Sequence, residues 1–304
     1  MELLKARAKA EILIVLELLD KRMTLSSSEK QYMSTLSKGF NGEVLFDSYM
    51  EKYFPTNAIV INDVSLMLSS TSFQIDSIML TSDTLYLYEV KNYKGDFTNR
   101  ITHFLTAAGQ EIENPVNQLN RTAMLLSKLL RKWNLTLPIK SFIVFIHPTF
   151  ILYEAKNTDP FIFPSQLKYH FNTVSHQSGT ITNKVYNVAE KLIKETQKEL
   201  PYQRQLPCYS FELLKKGLLC SQCGSLDLTI TTKKGECRTC GKSTSISVLF
   251  LSQVEAFKTL FPESLITSNL MYEWCGKMLT KRRIATLLNA TFEKTSYGKS
   301  THYL

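Results

Sequence analysis

Apolar residues recur along this chain with two periods, and the change of period marks its elements. From Phe73 to Lys91 two runs rich in Ile, Leu, Tyr and Phe flank a short polar break. Both are too short for helices, so the stretch predicts a β-hairpin. Period-two alternation puts Leu85, Leu87, Glu89 and Lys91 on one face. With Ser82 and Asp83 as a two-residue loop, Thr81 faces Thr84, Leu80 faces Leu85, Ile78 faces Leu87, and Asp76 faces Glu89. Directly opposed residues have Cβ atoms about 4.5–5.5 Å apart, where like charges repel. Solvated carboxylates on an open sheet face are the plain alternative. Ile78, Leu80, Leu85 and Leu87 share that face, however, and buried charges need a partner. A divalent cation would remove the repulsion.

Elsewhere the period is mostly helical. Residues 1–37 read as helix, with Leu3, Leu4, Ala8, Ile12, Val15 and Leu19 as the stripe; Ser26–Ser28 break it, and a short second helix carries Tyr32, Met33 and Leu36. Simple packing, a lid and a dimerisation arm are all compatible with this segment. A helix from Lys38 has Val44, Leu45, Tyr49 and Tyr53 as its apolar face and Glu43 in its first turn, where a carboxylate favoured by the helix dipole is the plain reading. Val60–Val64 predicts a strand. Asn114 reads as an N-cap with Pro115 at the first helical position. Val116, Leu119, Ala123, Leu126, Leu130 and Trp133 then mark an amphipathic helix whose other face carries Gln118. Phe142–Ile146 reads as a buried strand, Phe161–Phe163 as a short one, and Val185–Ile193 as a further helix. The pattern is mixed α/β.

Composition narrows the class. With 304 residues, 44% of them hydrophobic, the chain can bury sizeable cores in two or three domains. The apolar run Ile12–Leu19 is interrupted by Glu17 and falls short of the roughly 20 residues a membrane span needs. A cytoplasmic protein without membrane association is expected. The net charge of +9 is concentrated in residues 201–304, which hold 14 Lys and Arg against 7 Asp and Glu. That excess suits a polyanion such as nucleic acid, although charge also serves solubility.

Cys220-Ser-Gln-Cys223-Gly and Cys237-Arg-Thr-Cys240-Gly have the spacing of a four-thiolate structural Zn²⁺ site. Cys208 and Cys275 lack partners at ligand spacing and read as packing residues. Beyond them, a helix capped by Ser268, a second helix Lys281–Asn289 and a hairpin near Tyr297-Gly298 outline a winged helix, with Lys281, Arg282, Arg283, Lys294 and Lys299 suited to phosphate contacts. A small oligomerisation module fits the same pattern.

Gly39-Phe-Asn-Gly-Glu43, Asn62-Asp63, Gln74-Ile75-Asp76, Glu89-Val-Lys91-Asn92, Gly95 and Asn114-Pro115 with Gln118 together resemble the nuclease-related domain (NERD) of bacterial proteins, within the PD-(D/E)XK nuclease superfamily, over roughly residues 37–150. The resemblance implies a restriction-endonuclease-like α/β core: a mixed sheet flanked by helices. It implies Mg²⁺ (or Mn²⁺) on Asp76 and Glu89, with Glu43 completing or adjusting that site. Lys91 would orient the attacking water or stabilise charge on the phosphate, and Gln118 would position water or backbone. Ile75 stands where the proline of the PD pair would be, as is usual for the domain. The expected organisation is a helical segment (1–37), the nuclease-like domain (38–205), a zinc ribbon (206–248) and a helical or winged-helix-like module (249–304). A metal-dependent DNA nuclease is expected, able to form a homo-oligomer; a noncatalytic nucleic-acid-binding or assembly protein on the same fold is the alternative.

Overall fold

The computed structural model describes residues 1–54, 57–196, 206–297 and 300–303. In chain order the elements are β1 (Glu2–Lys5), α1 (Glu11–Arg22), α2 (Ser27–Tyr53), β2 (Ile59–Leu68), β3 (Thr71–Leu80), β4 (Leu85–Lys91), β5 (Gly95–Asn99), β6 (His103–Thr106), β7 (Glu111–Glu113), α3 (Pro115–Lys132), β8 (Ile139–Phe145), β9 (Phe150–Tyr153), β10 (Phe161–Ile162), α4 (Leu167–Gln177), α5 (Asn183–Glu195), β11 (Leu228–Ile230), β12 (Lys234–Cys237), β13 (Ser243–Ser245), α6 (Ile246–Leu260), α7 (Ser268–Trp274), α8 (Lys281–Thr291), β14 (Lys294–Tyr297) and β15 (Ser300–Tyr303). They form two compact units: residues 1–9 with 34–204, and residues 10–33 with 205–304.

The first unit is built on a six-stranded sheet in the order β1-β2-β3-β4-β8-β10. β2, β3 and β4 run antiparallel, whereas β1–β2, β4–β8 and β8–β10 are parallel. Alternation sorts the side chains into two cores. Ile78, Leu80, Leu85, Leu87 and Ile143 join α3 (Leu119, Leu126) and α5 (Val188, Leu192). Met79, Tyr86, Tyr88, Val90 and Val144 join α2 (Phe46, Met50) and α4 (Leu167, Phe171). The sheet is therefore flanked by helices, and β4, central and buried along its length, runs apolar almost to its end. A second sheet, β7-β6-β5-β9, takes β5, β6 and β7 from the stretch after Lys91 that shows only a turn signal in sequence and β9 from Phe150–Tyr153; strands of three to five residues are too short to declare themselves.

The start of the chain departs from the helical expectation. Leu3 and Leu4 belong to β1, which pairs with β2, and the helical stripe begins only at Ile12. An isolated four-residue segment carries no strand signal of its own; the β2 edge supplies it. The expected break at the serines separates α1 from α2, and Ser26 caps the second: its hydroxyl accepts from the Glu29 amide at 3.3 Å while the Glu29 carboxylate accepts from the Ser26 amide at 2.6 Å, a capping box; the two helices expected on either side of Lys38 are one, α2. Val44 and Leu45 are exposed, and Phe46 and Met50 take the buried face. Glu43 is thus in mid-helix, and the helix-dipole reading of it does not apply.

The second unit gathers α1, the antiparallel ribbon β11-β12-β13, and α6, α7 and α8 around one core. Tyr303 of β15 bridges antiparallel to Ile266 between α6 and α7, so helix, bridge, helix, helix and hairpin follow one another along the chain. Thr267, one residue before Ser268, is the cap of α7. Arg22, fully buried, donates to the carbonyls of Lys215 (2.7 Å) and Gly217 (3.2 Å) and to Gln253 Oε1 (2.6 Å), and stacks 3.8 Å from the Trp274 ring. Burial brings its pKa down to about 10. Cys275 is buried here, but Cys208 is exposed and is not the packing residue expected: it lies in a segment without helix or strand.

Candidate active site

The β3–β4 hairpin holds the expected register. Leu80 pairs Leu85, Met79 pairs Tyr86, Ile78 pairs Leu87 and Ser77 pairs Tyr88, closed by a Thr81 amide to Thr84 carbonyl bond of 2.9 Å. The paired rungs end there. At the next level Asp76 does not simply face Glu89; its Oδ2 accepts from the Val90 amide at 2.8 Å. The β2–β3 ladder opens at the same level: Asn62 pairs Ser77 and Val64 pairs Ile75, with Asp63 between them at φ 53°. Side chains supply the missing donors. Lys5 Nζ reaches the Asn62 and Asp63 carbonyls at 2.8 and 2.7 Å, and Arg7 Nη2 reaches the Asp76 carbonyl at 3.0 Å. Core spacing shifts across the break. Ile59, Ile61, Val64 and Leu66 of β2 all enter one core, as do Phe73, Ile75, Ile78 and Leu80 of β3, although strict alternation would separate them.

The break turns Asp76 toward a pocket of about 380 Å³ lined by Thr35, Lys38, Gly39, Glu43, Asp76, Glu89, Val90, Lys91, Asn92 and Tyr93. Glu89 is 3% exposed. Its Oε1 accepts from Lys91 Nζ at 2.8 Å and from Gln118 Nε2 at 2.6 Å, and Lys91 Nζ also donates to Gln118 Oε1 at 3.1 Å. Its Oε2 is buried without a hydrogen-bond partner. Gln118 reaches this point because Asn114 caps α3, its side chain accepting from the Val116 amide at 3.1 Å. Glu43 reaches it from α2 because Gly42 lets the helix approach closely: a Cβ at Gly42 would stand 2.6 Å from Asn92 Cβ.

Electrostatics follow from burial. Desolvation, reinforced by the Glu89 and Glu43 charges, pushes the Asp76 carboxyl well above the usual range. Glu43 is raised by burial against the opposing pull of Arg7, and Asp47 is raised mainly by burial. Burial alone would lower the Lys91 ammonium; the bonded Glu89 carboxylate outweighs it and the net shift is upward. Lys91 is therefore a cation held beside carboxylates, suited to stabilise charge rather than to remove a proton.

The five residues implied by the resemblance divide in their contacts. Glu89, Lys91 and Gln118 bond to one another, Asp76 meets the β4 backbone, and Glu43 Oε2 is committed to Arg7 Nη1 at 2.6 Å. Sequence patterns missed Arg7, because it lies far upstream in a segment that reads as helix. They also missed Lys38, exposed at the pocket; only its place four and five residues before Gly42 and Glu43, one turn of the same helix, could have suggested it.

Among the described residues, the set of three or more His, Cys, Asp or Glu side chains whose donor atoms lie within 4.8 Å of one another is Cys220, Cys223, Cys237 and Cys240; Glu43, Asp76 and Glu89 are more widely spread. Cys220–Cys240 and Cys223–Cys237 sulfurs are 3.7 and 3.5 Å apart, close to the edge of about 3.8 Å set by tetrahedral Zn–S bonds of about 2.3 Å. Gly224 and Gly241, at φ 70° and 73°, return their amides to the Cys220 and Cys237 carbonyls, a turn that favours glycine. Of the expected phosphate-binding residues, Lys281, Arg282 and Lys294 are exposed. Arg283 instead donates to the Thr231 and Thr232 carbonyls. Lys299 lies outside the described residues.

Residues 38–146 match the family model of the nuclease-related domain, NERD. No curated protein matches the chain. Two solved structures share similarity: Can2 from Sulfobacillus thermosulfidooxidans in complex with cyclic tetra-adenylate, at 14% identity and a TM-score of 0.29 over 55% of this chain and 51% of that one, and protein VC1899 from Vibrio cholerae, at 11% identity and a TM-score of 0.25 over 50% of this chain and 36% of that one. This chain thus covers about half and about a third of their lengths. Glu43, Asp76, Glu89, Lys91 and Gln118 all fall within the matched segment; Arg7 precedes it.

Proposed function

We propose that this nuclease-related domain hydrolyses phosphodiester bonds of DNA with a divalent cation, Mg²⁺ or Mn²⁺, bound by Asp76 and Glu89. The observation that carries the reading is Glu89: a buried carboxylate with one oxygen fixed by Lys91 and Gln118 and the other left without a partner. Beside it stands Asp76, whose charge the surroundings oppose. Buried anionic oxygens in that state fit a hard cation, and Mg²⁺ in particular takes one or two carboxylates and keeps several waters. When bound, the cation supplies Lewis-acid polarisation of the phosphodiester.

The protein groups do the positioning. Lys91 remains protonated and offers positive charge to the phosphoryl oxygens as charge develops on them. Gln118 donates to Glu89 and accepts from Lys91, so neither can rotate away alone. Glu43 lines the pocket with one oxygen held by Arg7. Lys38 meets the phosphate of a flanking nucleotide. In the second unit the four cysteines hold a structural Zn²⁺ in a closed coordination sphere. Lys281, Arg282 and Lys294 grip the nucleic-acid backbone, while Arg283 braces the ribbon turn.

The test is a cleavage panel of linear, circular, branched and single-stranded substrates with Mg²⁺ or Mn²⁺. DNA cleavage by the wild type should fall at least 100-fold in Glu89→Ala and Lys91→Ala, on the order expected for loss of metal-ion or electrostatic stabilisation. Cleavage unchanged in both variants would refute the assignment.

A further inference from the structure

Arg7 stands outside the nuclease-related segment, yet its side chain, only 3% exposed, is bonded to four residues around the pocket. Nη1 donates to Glu43 Oε2 at 2.6 Å and to Asp63 Oδ1 at 2.7 Å. Nε and Nη2 grip Asp47 at 2.8 and 3.1 Å, and Nη2 also takes the Asp76 carbonyl at 3.0 Å. The flanking residues lace the same place together: Lys5 holds the Asn62 and Asp63 carbonyls, and the Ala8 amide donates to Asp63 Oδ2 at 3.1 Å.

Simple charge compensation would need only a cation among Glu43, Asp47 and Asp63. The contact with Asp76 is of another kind. It ends on a neutral backbone oxygen, at the level where β3 leaves both of its ladders, and so fixes the strand that carries the Asp76 carboxylate. A guanidinium is a planar fork with rigid donor directions. One rigid group therefore sets both the aim of Glu43 and the path of β3 at Asp76. We propose that Arg7 is a positioning residue of the nuclease centre, supplied by the N-terminal segment and acting through Glu43 and the Asp76 backbone on the affinity of the site for its divalent cation. The proposal rests on the nuclease reading of the same pocket.

Hydrogen-bonding partners behind metal ligands typically contribute 10–100-fold in metal affinity or activity. The experiment is Mn²⁺ titration calorimetry of the full chain with its cysteine site filled by Zn²⁺, accompanied by thermal unfolding, for the wild type, Arg7→Lys and Asp47→Asn. Arg7→Lys keeps the charge and loses the fork; its Mn²⁺ affinity should fall about 10–100-fold. Asp47→Asn is isosteric, does not line the pocket and bonds Nε and Nη2 of Arg7, so it reads the aim of Arg7 on a folded protein. Its Mn²⁺ affinity should fall by a smaller factor, and it decides alone if Arg7→Lys does not fold. Mn²⁺ binding indistinguishable from wild type in the folded variants overturns the positioning role and leaves the nuclease reading intact. Mn²⁺ binding by the wild type that is indifferent to Glu89→Gln overturns the nuclease reading, and the Arg7 proposal with it.

Discussion

Asp76 carries a charge that its surroundings oppose, a cost that a proton relieves and that the proposed cation would relieve as well. Its pKa is raised by burial first, and then by the Glu89 and Glu43 charges, so the folded protein binds a proton at this carboxyl more tightly than the unfolded chain does. For a folded-state pKa raised above the unfolded value, the stability contribution is fully present below the unfolded pKa, about 3.9 for Asp, and is lost as the pH rises through the folded one. Metal-free protein should therefore lose stability as the pH rises from the ordinary carboxylate range through the raised Asp76 value. Asp76→Asn keeps an acceptor for the Val90 amide and removes the charge. It should stabilise the metal-free protein at neutral pH by about 1 kcal/mol, flatten part of the pH slope and abolish cleavage. Thermal melts across pH with EDTA would check this; a less stable Asp76→Asn chain would show that Asp76 supports the fold instead. Glu43 and Asp47, also raised, account for slope that remains.

At the scale of elements, two glycines of one helix make opposite predictions. A Cβ at Gly42 would meet Asn92 Cβ at 2.6 Å, while one at Gly39 meets nothing within 4 Å. Exchanging an interior helix glycine for alanine gains about 1 kcal/mol in propensity; overpacking costs about 1–3 kcal/mol. Gly39→Ala should accordingly raise the melting temperature. Gly42→Ala should lower it, and should also reduce cleavage by tilting Glu43 away from Lys91, with melting and initial rates measured on the same samples. Sequence made the β3–β4 hairpin legible because alternation and a two-residue loop fix a register over several rungs. It also made α3 legible, through Asn114-Pro115 and a long apolar stripe. The opening of both ladders at Asp63 and Asp76 was not legible: it depends on donors from Lys5 and Arg7, which sit more than 50 residues away in a segment whose apolar spacing mimics a helix. The carboxylates were found, but the group that organises two of them was not.

At the scale of the whole chain, each compact unit has its own core and holds one of the two tryptophans. Trp133, half-buried, follows α3 in the first unit; Trp274, fully buried, packs against Arg22 and Phe257 in the second, its indole donating to the Gln253 carbonyl at 3.0 Å. The cysteine site belongs to the core around Trp274, for Cys220 and Cys237 pack in it with Leu228 and Leu249. Structural zinc contributes folding free energy directly, with apparent binding free energies of about 10–16 kcal/mol in small zinc domains, comparable to the whole stability of a domain, about 5–15 kcal/mol. A Trp133→Phe chain leaves Trp274 as sole reporter of the second unit. With Zn²⁺ loaded on the four cysteines, stripping it with a strong chelator should red-shift the emission and lower the unfolding midpoint, and Zn²⁺ added back should restore both. The first unit has its own apolar cores and no thiolate at the pocket. Hydrogen exchange of the β2, β3, β4 and β8 amides should therefore stay unchanged on chelation, while that of β11 and β12 rises. Loss of protection in β4 on zinc removal would show instead that the pocket of Asp76 and Glu89 depends on the ribbon for its stability.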